Sequence, residues 1–299
     1  MGLQYISHND IDFKKWDEVV KNSESGLIYS LSFYLDVVTH KSWDALILDD
    51  YRAVVALPIN RKLFGIPQLF QPPFTQQLGL LGDYTPNELE LVHSEVEKKF
   101  RRISYPFHFS NAVSIKKKTN LIIDLNRSYA DIEKGFSSSL RKRLRKTLDV
   151  QIQKGDDVNQ LVSFYKEQLA DKVSLNEAQY SIANSLFTKV LENELGFIRQ
   201  VKYHDEIMAI GMFLRFNNRI INVFGASVSS DKFPNAMAVL IASVLRENAN
   251  SNQVFDFEGS EISGVQTYFQ SFGSVNQDYP VLEVNRLPFW VKMLLKLRR

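Results

Sequence analysis

Two carboxylates separated by one residue lie in the segment VFDFEGS. Side chains alternate between the two faces of a strand, so Asp256 and Glu258 are predicted to share one face, opposite Phe255 and Phe257. A carboxylate beside a ligand cleft is able to accept a proton from a reacting group. Both residues are therefore catalytic candidates, and Glu258 is the stronger one because a glycine turn follows it. The alternative for Asp256 is a helix cap or an ion pair with an arginine.

A second cluster of chemically capable residues is cationic. Five Lys and Arg residues lie between Leu140 and Lys146, and leucines spaced by four predict a helix with one buried stripe. Arg141 and Arg145 lie one turn apart on such a helix, where two guanidinium groups can clamp one phosphate. The run predicts a binding site for the phosphates of a ligand. A solvated charged face is the alternative.

A third candidate is the loop QPPFTQQLG, which places three glutamines around a Pro-Pro corner. Proline fixes the backbone, and glutamine side chains both donate to and accept from amide groups. Gln71, Phe74, Gln76 and Gln77 are therefore predicted to contact a peptide-like acceptor. A plain turn between two strands is the alternative.

The composition excludes several other chemistries. The chain has 299 residues, no cysteine and a net charge of +2, which rules out thiolate metal sites and disfavours a dedicated nucleic-acid binder. Its five histidines lack metal-binding spacing, and neither a serine-hydrolase elbow nor a P-loop is present. We expect no metal site and no permanently bound cofactor.

The ends and the apolar runs bear on location. The first ten residues lack the pattern of a secretory signal peptide, and no run of about 18 apolar residues is present. The absence of cysteine fits a reducing compartment. We expect a cytoplasmic protein.

The elements that must position these residues form two similar halves. Each half is predicted to contain a two-stranded hairpin, a third strand or loop, a long helix and a further strand, as in WDALILDDYRAVVALPI and FIRQVKYHDEIMAIGMFL. The run Lys116 to Lys118 marks the junction. The sequence thus predicts two domains, residues 1–115 and residues 116–299.

The order strand, helix, helix, three-stranded meander, helix, strand, helix, strand resembles a GCN5-related N-acyltransferase (GNAT) domain. The loop QPPFTQQLG, the basic helix and the segment FDFEGSEISGVQTYFQSFG resemble the FemAB-like (peptidoglycan-bridge aminoacyltransferase) and BioF2-like branch, whose members carry two such domains in tandem. The resemblance covers nearly the whole chain. It implies an α/β fold with mixed sheets and two tandem GNAT domains.

The resemblance also implies an activity. It is the transfer of an acyl group from acyl-CoA or aminoacyl-tRNA, as co-substrate, to an amine of a small-molecule or peptidoglycan-precursor-like acceptor. In this superfamily a splayed central strand supplies a backbone N–H for the oxyanion, which implies the region of Phe224 and Gly225. Ser260, Tyr268 and Gln270 are expected to contact substrate.

Two departures from the family pattern keep alternatives open. The loop SVSSDKFPNAMAVL contains none of the glycines that hold the CoA pyrophosphate, although Lys232 and a helix start at Asn235 remain as phosphate ligands. Aminoacyl-tRNA users tend to have Phe-Lys where this chain has Phe269 and Gln270. A catalytically degenerate GNAT-fold binding protein is therefore one alternative, and a nucleic-acid module built on the basic helix is another.

The segment LPFWVKMLLKLRR is amphipathic and basic. Helical spacing puts Leu287, Trp290, Met293, Leu294 and Leu297 on one face. Docking of this face on the parent domain is the expectation. Peripheral contact with an anionic membrane surface is the alternative.

Overall fold

The computed structural model describes residues 2–60, 65–106, 115–145, 150–228, 233, 235–259 and 262–297. The described strands are β1 (Leu3–Ile6), β2 (Trp43–Leu48), β3 (Ala53–Asn60), β4 (Gln68–Leu69), β5 (Leu81–Gly82), β6 (Arg102–Tyr105), β7 (Ile115–Lys118), β8 (Leu121–Asp124), β9 (Gln151–Gly155), β10 (Gly196–Tyr203), β11 (Glu206–Phe216), β12 (Arg219–Ser227), β13 (Val254–Asp256), β14 (Val275–Asn276) and β15 (Tyr279–Asn285). The described α-helices are α1 (Phe13–Asn22), α2 (Ser32–Thr39), α3 (Pro86–Lys99), α4 (Tyr129–Lys134), α5 (Ser138–Arg145), α6 (Val158–Leu169), α7 (Glu177–Glu192), α8 (Ala236–Asn248), α9 (Ser263–Gln270) and α10 (Phe289–Leu297). None of these helices is long and apolar enough to cross a membrane.

Several helices begin at side-chain caps that the sequence encodes. The Thr85 side chain accepts from the Glu88 backbone N–H and the Glu88 side chain accepts from the Thr85 N–H, which completes a capping box with Pro86 at the first helical position. Ser128 caps α4 through the Asp131 N–H. In both helices a Ser or Thr lies three residues before an acid, so neighbouring residues set where the helix begins.

The chain divides into two compact units, Met1–Lys118 with Tyr279–Arg299 (unit 1) and Thr119–Asp278 (unit 2). The described strands of unit 1 form a sheet of order β1-β2-β3-β4-β6-β15-β7, with β5 also paired to β3. Within it β4 and β6 are parallel and are joined through α3, whereas the other pairs are antiparallel.

The described strands of unit 2 form a sheet of order β14-β8-β13-β12-β11-β10-β9. Here β12 and β13 are the parallel pair, joined through α8. Helix α8 packs on β10, β11 and β12, and α6 packs on β11 and β12. The core holds large, fully buried rings such as those of Phe213, Phe255, Phe257 and Phe272.

The duplicated architecture expected from the sequence is present in both units. Each has an antiparallel hairpin (β2–β3 and β10–β11) and a parallel pair joined through a helix. The domain limits differ from those expected. Residues 279–299 belong to unit 1 because β15 pairs with β6 and β7, and the first limit lies at Lys118. The run Lys116 to Lys118 is part of strand β7 at the end of the sheet order, where lysines discourage pairing with other chains.

Candidate functional site

The main opening in the sheet of unit 2 lies between β12 and β13. The two strands pair at only three positions, the last of them Ile221 with Asp256, and β12 continues alone on that side as far as Ser227. On its other side β12 stays paired with β11 along its whole length. The second half of β12 is therefore hydrogen-bonded to β11 along one edge, and its other edge is not paired with β13.

A β-bulge decides which backbone groups face this opening. Phe213 pairs with Asn222 and Met212 pairs with Phe224, so Val223 is the extra residue. Beyond the bulge, the Val228 N–H donates to the Met208 carbonyl of β11 at 2.9 Å. Successive backbone N–H groups of a strand point to opposite edges. The N–H groups of Phe224 and Ala226 therefore also point to β11, whereas those of Gly225 and Ser227 point into the opening. Phe224 and Gly225 were both expected to lie where a backbone N–H binds the oxyanion, and Gly225 is the one whose N–H points into the opening.

Phe224 itself has a packing role. It is 4 % exposed, and its ring stacks on Tyr165 of α6 with centroids 3.7 Å apart. Phe187 of α7 packs on the same ring at 5.2 Å. The expectation that Phe224 contacts a cofactor is therefore not supported by its side chain, because aromatic neighbours enclose it.

Two tyrosines that the sequence pattern did not single out belong to this group of rings, and Tyr165 is the one stacked on Phe224. Tyr165 lies 6.5 Å from Tyr180 of α7, centroid to centroid. The Tyr180 hydroxyl is buried and lacks a hydrogen-bond partner among the described residues. Burial, with a smaller contribution from Tyr180, raises the pKa of Tyr165 to about 12. The sequence did contain a signal for this pair. Tyr165 lies one helical turn after the buried Leu161, and Tyr180 lies one turn before the buried Ala183, so both rings were predictable on the buried faces of consecutive helices.

Asp256 lies at the point where the strands part. It is 1 % exposed, and its carboxylate accepts from Asn120 Nδ2 at 3.1 Å, from the Glu258 N–H at 2.7 Å and from Arg219 Nη1. Arg219 Nη2 also donates to Gln277 Oε1 at 2.9 Å. The alternative interpretation of Asp256, an ion pair with an arginine, is the one found, and it makes Asp256 a structural rather than a proton-accepting group.

Glu258 lies beyond the end of β13. Its φ is +59° and that of Gly259 is +62°, so two consecutive residues are left-handed. The strand alternation that predicted a common face for Asp256 and Glu258 therefore stops before Glu258. A Cβ on Gly259 would lie 2.1 Å from the Thr119 carbonyl oxygen, which makes glycine necessary there. Glu258 is half-buried and is fixed at the margin of the opening.

The basic helix α5 is tied to α9 at one end. The Ser137 N–H donates to the Ser271 carbonyl at 2.8 Å. Gly273 has a φ of +73° and lies so close to Gly135 that a Cβ on Gly273 would be 2.6 Å from the Gly135 carbonyl oxygen. Leu140 is fully buried. These contacts fix α5 so that Arg141 is half-buried and Arg145 is exposed one turn later.

Tyr268 of α9 lies within the electrostatic reach of this helix. Its hydroxyl is buried and has no hydrogen-bond partner among the described residues. Burial raises the pKa of Tyr268 well above its ordinary value, and the positive charge of Arg143 opposes that shift. Tyr268 is thus a partly buried ring packed against the core, whereas Gln270, the last residue of α9, is exposed. The two are not brought together as a common contact surface.

Some predicted site residues lie outside the described part of the chain. These are Lys232 and Ser260, together with Lys146 of the basic run. Asn235, before α8, makes no side-chain cap bond. No cluster of His, Asp or Glu suited to a metal ion occurs among the residues that the structure describes.

The glutamine loop belongs to unit 1. Gln71 Nε2 donates to the Thr75 carbonyl at 2.7 Å and to the Gln76 carbonyl at 3.2 Å, so Gln71 braces the loop. The Tyr34 hydroxyl donates to the carbonyl of Phe74, whose φ is +55°. Gln71 and Phe74 therefore shape the loop.

Gln77 occupies a different position. It is 8 % exposed, and its Nε2 donates to Gln76 Oε1 at 2.7 Å. It lines a cavity of about 250 Å³ within unit 1. The cavity is lined by uncharged residues, namely Ser25, Leu27, Ser30, Gln77, Leu78, Gly79, Leu80, Leu81 and Tyr84.

Comparison with solved structures identifies the fold. A crystal structure of FemX superposes with a TM-score of 0.65 at 12 % identity and covers 99 % of both chains. A conserved protein of unknown function from Bacteroides thetaiotaomicron gives 0.58 at 10 % identity, covering 94 % of this chain and 100 % of that one. L-PGS from Bacillus licheniformis gives 0.53 at 12 % identity, with 95 % and 96 % covered. No family model and no curated protein matches the sequence.

These similarities extend over whole chains, so they concern both units. The protein has a mixed α/β architecture made of two GNAT-fold units in tandem. Its fold is FemAB-like, as the sequence motifs indicated. At 10 to 12 % identity the comparisons establish this fold and leave the chemistry to the site itself.

Proposed function

We propose that this protein is an N-acyltransferase that moves an acyl or aminoacyl group from a phosphate-bearing donor to an amine. The observation that carries the proposal is the parting of β12 from β13 after Ile221, which directs Gly225 and Ser227 into an opening. Backbone N–H groups in such a position are suited to a developing oxyanion, because they are already oriented before the reaction begins.

The chemistry needs few groups. The amine nitrogen attacks the acyl carbonyl carbon, the carbonyl oxygen becomes an oxyanion at the Gly225 and Ser227 amides, and the C–S bond of a thioester or the C–O bond of an aminoacyl ester breaks. Glu258 takes the proton that the amine loses. The leaving thiolate or alkoxide then takes that proton from Glu258, which returns to its carboxylate form.

Helix α5 is the proposed donor site. Its exposed and half-buried cations lie on an element fixed at one end by the Ser137–Ser271 backbone bond. Guanidinium groups one turn apart bind phosphate oxygens without a large loss of side-chain freedom when the helix is already in place. Acyl-CoA and aminoacyl-tRNA both carry phosphate groups, so the same cations could bind either donor.

We propose separately that the cavity of unit 1 binds an uncharged, amide-bearing group. Gln77 offers an amide on its wall, and leucines supply the apolar remainder. Gln77→Ala should weaken binding of a UDP-linked muropeptide, whereas Leu91→Ala, at an exposed site on α3, should not.

A ligand panel tests the proposal. The full chain is melted with free CoA, acetyl-CoA, long-chain acyl-CoAs, a UDP-linked muropeptide and aminoacyl-tRNA, where a hundredfold excess over Kd contributes about 2.7 kcal/mol. A donor that raises Tm is then incubated with the muropeptide, and mass spectrometry detects the new amide. No shift with any donor would contradict the proposal and favour the binding-only alternative.

A further inference from the structure

The helix α10 presents two different faces. Leu287, just before it, is 3 % exposed and Val291 is fully buried, and both pack with Ile66 of unit 1. Phe289, Trp290 and Met293 are 77 %, 55 % and 49 % exposed. The predicted common face is therefore divided, since Leu287 docks on the unit while Trp290 and Met293 lie at the surface.

At about 100° per residue, the exposed residues Phe289, Trp290 and Met293 span roughly one quarter of the helix circumference, away from Val291. Lys292 lies at the margin of this arc, and Lys296 follows it one turn later. Residues 287–299 contain four cations and no acidic residue. An apolar, aromatic arc flanked by cations is the composition of a helix that lies in the plane of an anionic membrane surface.

The size of the arc argues against a second copy of the chain as its occupant. Three side chains at these exposures present on the order of 400 Å², whereas a stable protein interface buries about 800 Å² on each partner. A lipid surface sets no such minimum, because it accepts individual side chains at the headgroup boundary. Phe and Trp are also well suited to that boundary.

We propose that α10 binds the surface of anionic phospholipid membranes through Phe289, Trp290 and Met293, with Lys292 and Lys296 providing charge complementarity. The proposal does not depend on the transfer chemistry, since it rests on residues of unit 1 alone.

The structure supplies its own reporter. The chain has three tryptophans, and Trp16 and Trp43 are buried to 0 % and 1 % exposure, so Trp290 is the accessible one. The full chain is mixed with vesicles of phosphatidylcholine alone or with about 30 % phosphatidylglycerol, with and without brominated acyl chains. We expect a blue shift and bromine quenching, with binding about tenfold or more tighter on the anionic vesicles.

Matched variants locate the contact. Phe289→Ser with Met293→Ser should abolish quenching, and Lys292→Gln with Lys296→Gln should remove the preference for anionic lipid. Leu91→Ser, at a 45 % exposed leucine of the same unit, should change neither. Trp290→Phe should keep vesicle co-sedimentation and lose the fluorescence change.

Three results would overturn the proposal. The first is the absence of binding to both vesicle types by the folded wild-type chain. The second is binding that persists without quenching of Trp290. The third is a blue shift that depends on protein concentration without vesicles, which would assign the face to self-association.

Discussion

The backbone N–H of Glu258 donates to the carboxylate of Asp256, two residues earlier, at 2.7 Å. The same carboxylate is paired with Arg219 of the neighbouring strand. The buried acid thus holds the backbone of the half-buried acid beside the opening. Of two carboxylates that look equivalent in sequence, Asp256 holds an arginine and a backbone N–H, and Glu258 is the one to which we assign proton transfer.

Removing the buried acid should cost stability. Asp256→Ala leaves Arg219 without its carboxylate partner in a largely buried setting, and we expect a loss of about 3 kcal/mol in the free energy of unfolding. Urea denaturation measures it. Asp171→Ala, at an exposed aspartate of the same unit, should change stability by less than about 0.5 kcal/mol. Equal effects would show that the Arg219 pair contributes little.

Glu258→Gln should separate catalysis from binding. The amide keeps the size of the side chain and cannot accept the amine proton, so we expect kcat to fall about 10² to 10⁴-fold with donor Kd unchanged. Steady-state kinetics and donor titration measure the two quantities. Glu167→Gln, on an exposed part of α6, serves as the control. Unchanged kcat in Glu258→Gln would remove Glu258 from the mechanism.

The turn after Glu258 should be sensitive to a single methyl group. Gly259→Ala places a Cβ against the Thr119 oxygen at a left-handed φ, and we expect a loss of at least about 2 kcal/mol. Gly264→Ala meets no atom within 4 Å in α9. It should be neutral or stabilising by up to about 1 kcal/mol. Thermal melts of both variants distinguish local strain from a general intolerance of alanine.

The donor site predicts a salt-dependent loss of affinity. Arg141→Ala with Arg145→Ala should weaken donor binding and flatten its dependence on salt, because fewer ions are displaced from the phosphates. Lys154→Ala with Lys172→Ala removes the same charge from exposed positions of unit 2 that are not part of α5. Titrations at two salt concentrations compare them. The same loss in both pairs would indicate a nonspecific charge effect.

Asp17 predicts a pH dependence within unit 1. Its carboxylate accepts from the Ser32 N–H at 2.8 Å and the Ser32 hydroxyl at 2.7 Å, and burial raises its pKa despite these bonds. A carboxyl group whose pKa is higher in the folded state favours folding when it is protonated. This contribution is complete below the unfolded-state pKa and is lost as pH rises through the folded-state pKa. The stability of the wild type relative to Asp17→Asn should therefore increase on acidification from pH 7 to about 4.

Urea titrations across that range measure this difference. The exposed Asp83, substituted by Asn, is the reference. A difference between wild type and Asp17→Asn that grows on raising the pH would contradict the assigned direction.

Local patterns predicted the elements well and the long-range pairings less well. The capping box of Thr85 and Glu88 and the two hairpins follow from neighbouring residues, so the sequence contains them directly. The pairing of β15 with Tyr105 and Ile115 joins residues more than 160 positions apart, and no local signal records it. Strand β9 was missed because its pattern is largely polar, with three exposed residues, two half-buried ones and none buried.

The same division holds for the site. The resemblance to the GNAT family implied the splayed strand, and residue types and spacing made the basic helix and the glutamine loop candidates. They did not distinguish Asp256 from Glu258, because the end of β13 depends on the left-handed turn at Gly259. Nor did they identify Tyr165, which stacks on Phe224, or Tyr180, which the packing of α6 and α7 brings beside Tyr165.

The place of β15 sets an order for folding during synthesis. This strand lies between β6 and β7, yet it follows the whole of unit 2 in the chain. During synthesis all of unit 2 therefore leaves the ribosome before β15, the strand that pairs with β6 and β7 of unit 1. The N-terminal unit is the second to be completed, and a chain stopped at Asp278 would leave β6 and β7 with unpaired edges, the arrangement that promotes aggregation.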